Sequence, residues 1–78
     1  MNATQCKMAR GATGLGVREL ASLASVSPNT IARLERGEAI KASTIATIRA
    51  SLEAAGVIFV EENGEGLGVR LRKARPAD

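Results

Sequence analysis

VRELASLASVSPNTIARLERG, residues 17–37, decides how the rest of the chain is read. Leu20, Ala21 and Ala24 recur at helical spacing, Val26 interrupts, and Ile31 and Leu34 resume the period. Between the two runs, Ser27 is a good N-cap and Pro28 falls at the first helical position, where a fixed φ and a missing N–H cost nothing. Gly37 closes the second run, because glycine tolerates the left-handed conformation just past a helix end. The stretch therefore predicts two short helices joined by a tight turn. Ser25 stands in that turn where φ above zero is often required, so glycine would fit it more easily.

This is the outline of a helix-turn-helix. Its second helix, Pro28 to Arg36, has two chemically different sides. Ile31 and Leu34 face one way, while Pro28, Asn29, Ala32, Arg33 and Arg36 cover the rest and Thr30 lies near the boundary. Asparagine pairs with adenine and arginine with guanine O6 and N7, and Asn29 and Arg33, four residues apart, share a face. The Thr30 methyl and the Pro28 ring suit a thymine methyl, and the helix N-terminus attracts phosphate. The same pattern also fits a solvated amphipathic helix of any all-helical domain.

Working outward, Asn2 followed three residues later by Gln5 predicts a first helix with a capping box, with Cys6 and Ala9 inward and Arg10 on the same side. Gly14 ends it. The next helix runs from Val17 to Ala24, with Gly16 before it and Glu19 in the first turn. After a loop, Ala42 to Ala55 forms a fourth helix whose inner stripe is Ile45, Ile48, Leu52 and Ala55. Beyond Gly56 the pattern turns extended: VIFV at 57–60 and Val69 to Arg72 read as strands, separated by the turn signals Asn63-Gly64, Gly66 and Gly68. VIFV is apolar on both faces and predicts burial on both sides. A hairpin alone is marginal, so it packs on the helices, pairs with another chain, or both. The expected division is residues 1–56 as the helical domain, 57–73 as a dimerising hairpin and 74–78 as a tail. Val57, Ile58, Phe59, Val60, Val69 and Leu71 are the residues expected at the dimer interface.

With 78 residues there is room for one core, and a chain of this size buries roughly 60% of its unfolded surface. Phe59 is the one aromatic residue, so aliphatic and alanine packing supplies that core. A single cysteine, Cys6, excludes an internal disulfide and suits a reducing cytoplasm. No apolar run reaches the roughly 20 residues of a membrane span, and the N-terminus lacks a signal-type apolar segment. Net charge is +3, unevenly spread: residues 1–37 carry five basic and two acidic side chains, 38–66 two and five, 67–78 four and one. That layout suits one face toward an anion and another toward solvent or a partner, and equally a merely soluble surface. Arg70, Arg72, Lys73 and Arg75 suit phosphate contacts or protection of an exposed strand edge. With no histidine, no cysteine pair and only a GxG fragment at Gly14 and Gly16, neither an enzyme, a metal site nor a cofactor is expected.

The run Arg10, Gly14, Leu15, Glu19, Leu20, Ala21, Ile31, Leu34, Glu35, Gly37 resembles the helix-turn-helix domain of the lambdoid phage repressors and Cro proteins and their bacterial relatives, the XRE family, over residues 5 to about 55. The resemblance implies a mainly α, four-helix lambda-repressor-like DNA-binding domain, here followed by a C-terminal β-hairpin. It implies a sequence-specific bacterial regulator that binds double-stranded DNA; with the cytoplasmic address expected from composition and the homodimer expected from the hairpin, paired recognition helices would match a palindromic operator. Pro28, Asn29 and Arg33 then match base-reading positions, Ser27 and Thr30 match phosphate or thymine-methyl contacts, and Arg36 and Lys41 match a loop along the DNA backbone; Thr30 is expected at base edges as well, and Arg18 and Arg10 at phosphates beside Ser27, Arg36 and Lys41. Arg10 and Glu35 also match a pair that in some phage repressors ties the first helix to the recognition helix. One position departs: Val17 stands where the family usually has a phosphate-binding glutamine. The C-terminal extension, through GV-F, ENG and GVRLRK, is similar to that of small bacterial regulators. The rival expectation is a helix-turn-helix fold that binds a protein instead, as an antiactivator or antitoxin does.

Overall fold

Asn2 starts the first helix by a reciprocal cap. Its Oδ1 accepts the Gln5 N–H at 2.8 Å while Gln5 Oε1 accepts the Asn2 N–H at 3.1 Å. In the computed structural model, which describes residues 1–62 and 64–72, helix α1 spans Ala3–Thr13, α2 Val17–Ala24, α3 Pro28–Glu35 and α4 Ala42–Ala54. Strands β1 (Val57–Val60) and β2 (Gly68–Leu71) pair antiparallel behind them. The fold is mainly helical: four helices and a two-stranded hairpin. The expected turn residue Asn63, the basic Lys73 and Arg75, and the tail from 74 lie outside the described residues.

One device ends the first three helices. Gly14 (φ 74°), Ser25 (φ 56°) and Gly37 (φ 83°) are left-handed. Each following N–H reaches back five residues: Leu15 to the Arg10 carbonyl at 3.2 Å, Val26 to Ala21 at 2.9 Å, Glu38 to Arg33 at 3.1 Å. These bonds satisfy carbonyls that a helix end leaves unpaired. Leu15 and Val26 then fold back, half-buried, onto the core. At the third end the corresponding residue is charged.

The core draws Cys6 and Ala9 from α1, Leu20, Ala21 and Ala24 from α2, Ile31 and Leu34 from α3, Ile48 and Leu52 from α4, and Val57 and Phe59 from β1. Two expectations need correction. The α4 stripe narrows to Ile48 and Leu52, with Ile45 half-buried and Ala55 exposed. The helix stops at Ala54, and Gly56 (φ 102°) turns the chain into β1, which carries Ala55 off the inner face. In β1 only Val57 and Phe59 are buried, while Ile58 is 43% exposed. Alternation along the strand sends neighbours to opposite faces, and the helices cover one of them.

In the hairpin register, Phe59 faces Val69 and Ile58 faces Arg70. Phe59 and Val69 therefore share the covered face, and Ile58 and Arg70 the other. Pairing runs past β2, since the Arg72 N–H donates to the Gly56 carbonyl at 2.7 Å. Two side chains fasten the hairpin to the helices. Gln5, buried on α1, donates through Nε2 to the Val60 carbonyl at 3.2 Å and the Gly68 carbonyl at 3.3 Å, one on each strand. Arg49 on α4 stands 4.8 Å above the Phe59 ring centroid, a cation–π contact. No helix among the described residues is long and apolar enough to cross a membrane.

Candidate nucleic-acid interface

Helix α3 is held from both ends. Ser27 is extended, and its Oγ accepts the Thr30 N–H at 3.2 Å and meets Thr30 Oγ1 at 3.0 Å. At the other end Glu35 is 8% exposed and receives Arg10 Nε on Oε2 at 2.6 Å and Nη2 on Oε1 at 2.8 Å. Arg10 also donates Nη1 to the Leu15 carbonyl at 3.3 Å, and the Cys6 thiol donates to Glu35 Oε2 at 3.3 Å. Burial alone would raise the Glu35 carboxyl. The hydrogen bonds from Arg10 and Cys6, with the charges of Arg10 and Lys7, overcome it and hold the carboxyl below its ordinary value. Burial, the bond to Glu35 and its negative charge together push the Cys6 thiol up to about 12. Cys6 is thus a protonated, buried side chain rather than a nucleophile.

With Ile31, Leu34 and Glu35 inward, the outer side of α3 carries Pro28 and Asn29 exposed and Thr30 and Arg33 partly so. Beside it opens a cleft of about 330 Å³ between α3 and the start of α4, lined by Ser27, Thr30, Arg33, Lys41 and Thr44 with Val26, Ala39 and Ile40. Four residues expected to contact DNA, namely Ser27, Thr30, Arg33 and Lys41, meet there. Arg36, expected as the last residue of this helix, lies just past its end as the C-cap and is exposed. Arg18 lies elsewhere: it lines a separate cleft on α2 with Leu15, Glu19, Ser22 and Leu23. Val17 packs against the core, as an apolar side chain must at a half-buried helix start.

Arg10, expected both in an ion pair and at a phosphate, is found in the pair, with Nε and both Nη atoms engaged. Among the six residues expected at a dimer interface, Val57 and Phe59 are buried in the chain's own core. Val60 and Val69 are half-buried, and Ile58 and Leu71 (50%) are exposed. Sequence reasoning missed Glu38. Its Oε1 accepts Arg33 Nε at 3.2 Å and its Oε2 accepts Arg36 Nε at 2.8 Å. The signal available was its place directly after Gly37, where a left-handed turn doubles the chain back over the helix end. Among the described residues no three His, Cys, Asp or Glu side chains gather where they would hold a metal ion.

No curated protein matches this chain. A family model described as a helix-turn-helix domain matches residues 3–57, which takes in all four helices and the first residue of β1. The α2–turn–α3 unit, with its left-handed Ser25 and capped α3, lies wholly within that match, and the chain belongs to the helix-turn-helix domain family.

Proposed function

We propose that this protein is a sequence-specific DNA-binding regulator of the XRE type, with no catalytic step, that lays α3 in the major groove. The carrying observation is the exposed outer side of α3, with Asn29 and Arg33 presented beside a cleft that adds Lys41, Ser27 and Thr30. Pro28, Asn29, Thr30 and Arg33 meet base edges; Ser27, Arg36, Lys41 and Arg18 meet phosphates. Arg10 keeps its structural pair. The protein acts as a homodimer in the cytoplasm of a bacterium, with the hairpin extension joining two copies. Exposed Ile58 and Leu71 support that arrangement, and two α3 helices about 34 Å apart would fit the half-sites of a palindrome.

Selection of bound sequences from a random duplex pool, followed by titration at two salt concentrations, tests this. Binding should weaken steeply with salt, and Arg33→Ala should cost about 1–3 kcal/mol and relax preference at one base pair. Absence of DNA binding even at low salt would transfer the outer side of α3 to a protein partner.

A further inference from the structure

The three left-handed helix ends are alike in backbone and unlike in the side chain that comes next. After Gly14 and Ser25 come Leu15 and Val26, which pack on the core in the usual hydrophobic closure of such an end. After Gly37 comes Glu38, whose N–H is fixed on the Arg33 carbonyl at 3.1 Å. The backbone thus brings a carboxylate back over the last turn of α3. There each of its oxygens takes the Nε of a different arginine, Arg33 and Arg36. The ion pair stands where an apolar contact would be expected, and both arginines belong to the side of α3 proposed to meet DNA.

Anchoring an arginine through Nε has a definite consequence. Among the described residues no group binds the two Nη groups of either arginine, which carry four N–H donors, and their fork is the part that matches guanine O6 and N7 or a phosphate. A carboxylate on Nε also removes rotamer freedom from the arginine before DNA arrives. Its charge acts in the opposite sense on the DNA backbone, because it offsets one of the three cations Arg33, Arg36 and Lys41 near the cleft. The two effects separate cognate from random DNA: pre-ordering helps where a base edge receives the fork, and the negative charge weakens binding held by phosphates alone.

We propose that Glu38 is a specificity-determining positioning residue, which buttresses Arg33 for base reading and suppresses sequence-independent binding. This rests on the DNA-binding reading of α3. The test compares wild type, Glu38→Gln and Glu38→Ala on the duplex selected by the wild type, on variants of it at the base pair that Arg33→Ala renders indifferent, and on random duplex. Both Glu38 variants should bind random duplex about two- to fivefold more tightly, the range of an exposed charge pair. Their salt dependence should steepen by about 0.9 in log–log slope for each additional phosphate that the freed arginines neutralise. Discrimination at the Arg33 base pair should fall in Glu38→Ala and be partly retained in Glu38→Gln, whose amide oxygen still accepts from Nε. Unchanged discrimination and unchanged random-duplex affinity in both variants would overturn the proposal while leaving DNA recognition intact. A wild-type protein with no sequence preference on any duplex would overturn both.

Discussion

Arg10 and Glu35 form a two-pronged ion pair that ties α1 to the last residue of α3, with the Cys6 thiol as a third donor on the same carboxylate. No buried side-chain nitrogen or oxygen among the described residues lacks a partner, so the pair orients α3 without leaving a stranded group. Removing one member is costly because the other stays partly buried and unpaired. Glu35→Ala should lower stability by about 3 kcal/mol, measured by denaturant unfolding. Glu38→Ala, which breaks two exposed ion pairs, should leave the midpoint nearly unchanged. Equal effects would remove the pair from its orienting role.

The same carboxylate sets an acid limb. Its folded pKa lies below the ordinary value of about 4.3. Ionised Glu35 therefore contributes stability that is fully present above the unfolded pKa and is lost as pH falls through the folded one. Thermal melts taken from about pH 6 down to about pH 3 should show Tm falling in wild type and falling less steeply in Glu35→Gln. Parallel curves would contradict the assignment.

Ser25 is the one non-glycine residue with positive φ among the described residues. A side chain costs about 1–2 kcal/mol in that conformation, and glycine avoids the cost at the expense of a more flexible unfolded chain. Ser25→Gly should therefore stabilise by up to about 1 kcal/mol, seen as a Tm rise of a few degrees, and Ser25→Ala should give no gain. A lower Tm for Ser25→Gly would mean that the added freedom of the unfolded chain outweighs the strain relieved.

Gln5 joins α1 to both strands through one amide group. Gln5→Leu keeps the bulk but leaves the Val60 and Gly68 carbonyls without that donor, and the Asn2 N–H without its capping acceptor, a combined loss of about 1–3 kcal/mol. Hydrogen exchange should report it locally, with the β1 and β2 amides losing protection before those of α3. Uniform loss across the chain would show that the hairpin opens only with the whole fold.

These pairings mark where sequence reading stops. The Asn2–Gln5 cap is visible in the sequence because both halves lie within one helical turn. The two carbonyls that the same Gln5 reaches are 55 and 63 residues away, and nothing local announces them. Glu38 lies between these cases. It comes after a glycine whose left-handed turn is predictable, yet its choice of Arg33 and Arg36 depends on how far that turn doubles back. For VIFV, alternation establishes that one set of side chains opposes the other, and only the placement of the helices decides that Val57 and Phe59 go in.

By itself the sequence determined where α1, α2 and α3 begin and, to within the one residue Arg36 at the end of α3, where they end, because caps, proline and left-handed turns act over five residues or fewer. It also determined which side of α3 is apolar. The tertiary structure alone decided that Arg33 and Arg36 share a carboxylate, that Arg10 is taken up by the expected pair with Glu35 with its Nε and both Nη atoms engaged, and that the hairpin hangs from Gln5. Those choices rest on side chains meeting across turns and between elements, where packing geometry rather than local conformational preference selects the partner.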